Sequence, residues 1–190
     1  MPIFNSKKTA ILVVDMLNDF VTGVLGCDGA KSIIQTNATL LNEARKHKIP
    51  VIFCNDAHYE GIDLELKLWG NHAIKGTKGA EVIPELEAKA VQDGGLDYIV
   101  DKRRYSGFFA TDLDLLLREL GVESVILTGL HTHMCVRHTS ADAYFRGYEV
   151  IIAEDATSAF TPADHESGIA YLKLCYGAKI HKVAELVSDM

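Results

Sequence analysis

Two hydrophobic patterns take turns along the chain. The first is a short apolar run with no polar alternation: Thr9 to Val14, Pro50 to Cys54, Asp97 to Val100, Val125 to Leu127, Glu149 to Ala153 and Ala178 to His181. Such runs are strands buried on both faces, as in a parallel sheet covered by helices. The second pattern spaces its apolar residues every three or four positions. It predicts helices over 31–47, 80–90, 111–120, 135–146 and 163–176. Thr111 and Asp112 stand ready to cap the third of these, Pro84 is tolerable in the first turns of the second, and Gly147 closes the fourth. Strand and helix alternate throughout. The predicted fold is therefore α/β, a three-layer α-β-α arrangement around a parallel sheet of about six strands.

Composition narrows this without changing it. At 190 residues the chain suits one domain spanning 1–190. A net charge of −7 leaves no basic stripe for nucleic acid and no polybasic segment for a lipid surface. No apolar run reaches membrane-spanning length, and Met1 to Lys8 lacks the apolar core of a secretory signal, so a cytoplasmic location is expected. Cys27, Cys54, Cys135 and Cys175 are far apart with no paired spacing, which suits free thiols in a reducing compartment.

The ends of the apolar runs carry the candidate chemistry. Asp15 follows the first strand, Lys102 the third, and Cys135 opens the helix after the fourth. Parallel strands bring their carboxyl ends to one edge of the sheet, where open α/β folds bind ligands. A thiol at a helix start lies where backbone N–H groups and the helix dipole favour its thiolate. A carboxylate beside it can take the thiol proton, and an ammonium can steady the resulting anions. Between 59 and 79 runs a polar insert with the only tryptophan, Trp69, and an insert placed straight after a strand end is commonly functional.

These residues sit in a wider set of motifs. VVDMLNDF holds Asp15, DAH holds Asp56 and His58, ELKLWGNHAIKGT holds His72, DKRRYSGFFATDL holds Lys102, and TGLHTHMCVRHTSADA holds Cys135. In that order they resemble the isochorismatase-like cysteine hydrolases, most of all nicotinamidases (pyrazinamidases) and N-carbamoylsarcosine amidases. The resemblance implies a catalytic triad of Asp15, Lys102 and Cys135. It also implies a cis peptide at Leu130-His131 and an oxyanion hole made by the backbone N–H groups of His131 and Cys135. Phe20 and Trp69 match the aromatic pair around a flat substrate, with Leu130 and His131 beside it. Asp56, His58 and His72 match the metal ligands. The fourth ligand falls on Glu65 when counted back from His72, and on Leu64 when counted forward from His58. Such a set suits Zn²⁺, Mn²⁺ or Fe²⁺, and no organic cofactor is implied.

Departures from the pattern are Leu17, His131, His133 and Arg137, the last facing either the pocket or a subunit partner. The expected activity is hydrolysis of a small-molecule amide through a thioester, with nicotinamide as first substrate. A carbamoyl or ureido compound is the alternative, and a non-catalytic binding or redox-thiol protein on the same fold is a third reading. The family also implies a homodimer or homotetramer.

Overall fold

A computed structural model describes residues 2–190. The strands are β1 (Thr9–Val14), β2 (Val51–Asp56), β3 (Asp97–Lys102), β4 (Ser124–Leu130), β5 (Glu149–Ser158) and β6 (Lys179–His181). They form one six-stranded sheet in the order β3-β2-β1-β4-β5-β6, every neighbouring pair parallel. Central β1 is buried at every position, as its unbroken apolar run requires. Ile11 and Val13 join the core on one face, while Ala10, Leu12 and Val14 join the core on the other. Burial of each of these valine, leucine and isoleucine side chains contributes about 2 kcal/mol relative to exposure.

The helices are α1 (Asn18–Val21), α2 (Asp28–Ser32), α3 (Ile34–Lys46), α4 (Leu66–Trp69), α5 (Leu113–Glu119), α6 (Cys135–Phe145), α7 (Pro162–Tyr176) and α8 (Val183–Ser188). Residues of α3 and α8 pack in the first core, and residues of α5, α6 and α7 in the second. The chain leaves β1 toward one edge of the sheet and returns past it to β4. Strands β1 and β4 therefore flank the point where the order reverses, and open α/β sheets bind ligands there. No helix among the described residues is long and apolar enough to cross a membrane.

Gly129 makes the β1–β4 seam possible. It pairs with Val14 at φ 96°, and a Cβ built there would lie 2.1 Å from the Val14 carbonyl oxygen. Only glycine accepts both the backbone angle and the contact. The loops after β1 and β4 consequently start side by side.

The segment predicted as a helix over 80–90 is not one. It holds 3₁₀ turns at Lys78–Ala80 and Pro84–Leu86, with Glu87 left-handed at φ 49°. Its backbone is engaged elsewhere: Asn18 N–H donates to Glu81 O at 3.0 Å, and Ile83 N–H to Met16 O at 3.0 Å. The helix predicted over 31–47 is broken at Ile33, where the Asn37 side chain donates to the Ile33 carbonyl oxygen at 2.9 Å. β5 continues past Ala153 through an irregularity rather than ending there.

Candidate active site

β1, β3 and α6 deliver the three residues singled out at the strand ends, and the structure brings them together. Asp15, left-handed at φ 53°, turns out of β1, and its Oδ1 accepts the Asp56 N–H at 2.8 Å. Lys102 is the last residue of β3 and is 1% exposed. Its Nζ lies 2.8 Å from Asp15 Oδ2, 2.6 Å from Asp56 Oδ1 and 3.7 Å from Cys135 Sγ. Asp15, Asp56 and Cys135 each present a polar atom within 4.8 Å of the other two.

The charges in this cluster are set by burial and by one another. Burial works against the Lys102 ammonium, yet Asp15 and Asp56 outweigh it and hold its pKa well above the ordinary lysine range. Burial and then repulsion from Asp56 push Asp15 up to about 6, against the pull of Lys102. Burial also disfavours the Asp56 anion, but Lys102 and His58 keep its pKa below the usual carboxylate value. For Cys135 burial dominates, and its thiol is pushed well above the usual range despite Lys102. This corrects the expectation of a resting thiolate. A helix start favours the anion only modestly, and desolvation of a thiol 6% exposed outweighs it. The cluster at rest is a neutral thiol, a carboxylate and an ammonium, arranged so that one proton can pass from sulfur to Asp15.

The loop before Cys135 is held by its own backbone. Leu130-His131 is a cis peptide, as expected. Thr132 N–H donates to Ser158 O at 2.9 Å, and Met134 N–H to His131 O at 2.9 Å. Among the described residues, neither the His131 nor the Cys135 amide donates a backbone hydrogen bond. Both remain available to an oxyanion. The Leu130 side chain is fully buried in the core and is not among the residues lining the cavity at Cys135.

The end of β2 and the insert together supply a candidate metal-ligand set. Asp56, His58 and His72 hold polar atoms within 4.8 Å of one another. His58 Nε2 is 3.6 Å from Asp56 Oδ2 and 4.0 Å from Glu65 Oε2. Of the two candidates for a fourth position, Glu65 is buried beside His58 while Leu64 is 60% exposed. Burial, then Asp56, push the Glu65 carboxyl up to about 7. Each imidazole has Nδ1 fixed, His58 against Asp63 at 3.1 Å and His72 against the Gly70 carbonyl at 2.8 Å. His58 Nε2 is buried without a hydrogen-bond partner. Two oriented imidazoles, two carboxylates and an orphaned nitrogen fit a divalent cation.

Beside these groups is a small, narrow cavity, lined among others by Phe20, Glu65, Trp69, His131, Cys135 and Phe160. Phe20 stands edge-on to His72 at 5.5 Å and to His131 at 6.1 Å. Trp69 stacks on Phe160 at 6.1 Å, and its Nε1 donates to Tyr105 Oη at 3.2 Å. Phe160 in turn stacks on the His131 ring at 3.9 Å.

The isochorismatase domain pattern matches residues 9–185. The chain belongs to the isochorismatase family. The crystal structure of N-carbamoylsarcosine amidase from Thermoplasma acidophilum is 38% identical, with a TM-score of 0.84, covering 93% of this chain and 96% of that one. Nicotinamidase 3 of Arabidopsis thaliana is 33% identical, the match covering 90% of this chain and 87% of the relative. A probable inactive nicotinamidase, At3g16190 of the same plant, is 35% identical over 88% of this chain and 89% of its own length. This isochorismatase-family hydrolase is thus related to both amidase types that its motifs resemble.

Several residues of the isochorismatase-family site gave no local signal in the sequence. Asp63 accepts from the Tyr59 amide at 2.9 Å and from Arg103 Nε at 2.9 Å while holding His58. Asp19 Oδ2 accepts the Ala73 N–H at 2.8 Å, fixing the residue after His72. Phe160 follows the end of β5, at the strand-end edge of the sheet, and that position is its only sequence signal. His133 packs edge-on to Phe160 at 6.5 Å. Arg137 is not among the residues lining the cavity, and its guanidinium lies 3.7 Å from the centre of the Tyr171 ring.

Proposed function

We propose that this chain is a cysteine-dependent amide hydrolase whose substrate is an uncharged planar carboxamide of the nicotinamide type. The observation that carries the reading is the lining of the cavity at Cys135: aromatic walls from Phe20, Trp69 and Phe160, the carboxylates of Asp56 and Glu65, and no arginine or lysine among its described residues. An anionic substrate such as a carbamoyl amino acid would find no arginine or lysine in that lining to pair its carboxylate.

In this reading Cys135 Sγ attacks the amide carbon as its proton passes to Asp15. The carbonyl oxygen becomes an oxyanion held by the N–H groups of His131 and Cys135. Lys102 stays protonated, neutralising Asp15 and steadying the sulfur. Asp15 returns the proton to the leaving nitrogen, the C–N bond breaks, and ammonia departs from a thioester. Asp15 then takes a proton from water, whose oxygen attacks the thioester carbon. The acid is released and the thiol restored. Asp56, His58, Glu65 and His72 are the residues that would hold Zn²⁺, Mn²⁺ or Fe²⁺, and such an ion supplies a Lewis-acid contact for a ring nitrogen.

The N-carbamoylsarcosine amidase likeness supports the same chemistry on a ureido substrate, and the probable inactive relative supports a protein that only binds. Ammonia release from nicotinamide and from N-carbamoylsarcosine, measured on one metal-defined preparation, separates the three. We expect kcat/KM for nicotinamide to exceed the other at least about tenfold, a difference of 1.4 kcal/mol in transition-state binding. A reversed ratio transfers the assignment to the ureido substrate, and no ammonia from either ends the catalytic reading.

A further inference from the structure

His131 is 3% exposed, and both of its ring nitrogens are buried without a hydrogen-bond partner among the described residues. The residue lines the cavity at Cys135. One face is covered by Phe160 at 3.9 Å, and Phe20 stands against it at 6.1 Å. His133 lies 6.3 Å away by ring centres and does not satisfy it. An imidazole that served only to fill this wall would leave a donor and an acceptor dry, which a phenylalanine or leucine would not. Burial, helped by His133, lowers its pKa to about 4, so the ring is neutral at ordinary pH and offers one N–H and one lone pair.

We propose that the His131 side chain is a specificity-determining residue, hydrogen-bonding a second polar atom of the substrate close to the reacting amide. The inference rests on the amidase reading of the same cavity. That reading gives the His131 N–H to the amide oxygen, so the imidazole springs from a Cα one bond away from that contact. Its reach is then to atoms adjoining the carbon that carries the amide. The substrate class is a planar, uncharged carboxamide with a nitrogen or other hydrogen-bonding group at that neighbouring position. A site built to bond such an atom discriminates strongly against the analogue that lacks it, because its own polar groups are then left unpaired.

Pyrazinamide and nicotinamide provide the test. Pyrazinamide is nicotinamide with one ring C–H beside the amide-bearing carbon replaced by nitrogen. The ratio of kcat/KM for the two is measured in the wild type, in His131→Phe, which keeps the stack on Phe160, and in His131→Asn, which keeps a donor and an acceptor. We expect the pyrazinamide-to-nicotinamide ratio to fall at least about tenfold in His131→Phe and to be largely retained in His131→Asn. A ratio unchanged in His131→Phe overturns the inference while leaving the amidase reading intact. Wild-type protein that turns over neither amide overturns both. Should His131→Phe not fold, ring nitrogen NMR of His131 in a Cys135→Ala protein decides: a shift on adding pyrazinamide that nicotinamide does not produce supports the contact, and equal spectra overturn it.

Discussion

Lys102 donates to Asp56 Oδ1 at 2.6 Å, while the other oxygen of that carboxylate faces His58 Nε2 at 3.6 Å. One side chain therefore belongs to two sites, the triad and the ligand set. Asp56→Asn should lower both metal content and turnover, including turnover at saturating Zn²⁺. Asp63→Asn weakens the support behind His58 and the pairing with Arg103 but leaves Asp56 and Lys102 in place, so it should weaken Zn²⁺ binding about 10–100-fold while metal-saturated turnover stays closer to wild type than in Asp56→Asn. Metal titration by calorimetry alongside kcat measures both. Equal effects of the two substitutions on saturated turnover would count against the shared carboxylate.

The acid limb of the pH profile should belong to Asp15. Its carboxyl is raised to about 6 by burial and by Asp56, and only its anion can accept the thiol proton. In metal-free protein kcat/KM should therefore fall as pH drops through about 6. A cation on Asp56 offsets the negative charge that repels the Asp15 anion, so metal loading should move the limb to lower pH. Lys102, held well above the ordinary lysine range, should keep its charge throughout, with no loss of rate from that residue up to pH values near the ordinary 10.5. Profiles with and without Zn²⁺ check this, and a limb that moves upward on metal addition contradicts it.

Alkylation should not find the nucleophile first. Cys175 is exposed and Cys27 half-buried, whereas Cys135 is buried with a raised pKa. Timed iodoacetamide labelling read by mass spectrometry should modify Cys175 before Cys135. Cys135→Ala should still abolish hydrolysis, since Cys54, the other buried thiol, has its pKa pushed up to about 12 by burial. Early labelling of Cys135 in the resting protein would mean that its thiolate is far more populated than this environment allows.

What the sequence made legible was whatever a local pattern carried. The unbroken runs 9–14 and 125–127 announced buried parallel strands, and Asp15, Lys102 and Cys135 could be placed because strand ends share an edge. The stretch 80–90 misled because Val82, Ile83 and Leu86 have helical spacing, yet the backbone of Ile83 pairs with Met16 and that of Glu81 with Asn18, far away in sequence. Asp63 and Phe160 were invisible for the same reason. Their partners, His58 with Arg103 and Trp69 with His131, meet only after folding.

Gly129→Ala should be the most disruptive single methyl in the sheet. The new Cβ would meet the Val14 carbonyl at 2.1 Å with φ at 96°, so β1 and β4 must separate or the backbone must strain. Left-handed strain adds about 1 kcal/mol and overpacking about 1–3 kcal/mol. Urea unfolding should show a loss of about 3 kcal/mol, along with lower activity because Asp15 and the Cys135 loop start at this seam. A midpoint within error of wild type would mean the seam relaxes freely.

The insert is fastened at both ends, by Asp63 to Arg103 on the β3 side and by Asp19 to the Ala73 amide on the β1 side. The stretch 64–71 between those anchors carries Glu65 and Trp69 yet contributes no strand to the sheet. We expect it to be exchangeable as a unit. Grafting the corresponding stretch of a related amidase between intact anchors should re-shape one wall of the cavity while the nucleophile, its base and the sheet stay where they are. New substrate ranges on this scaffold are thus reachable through a segment of a few residues whose replacement leaves the folding core untouched.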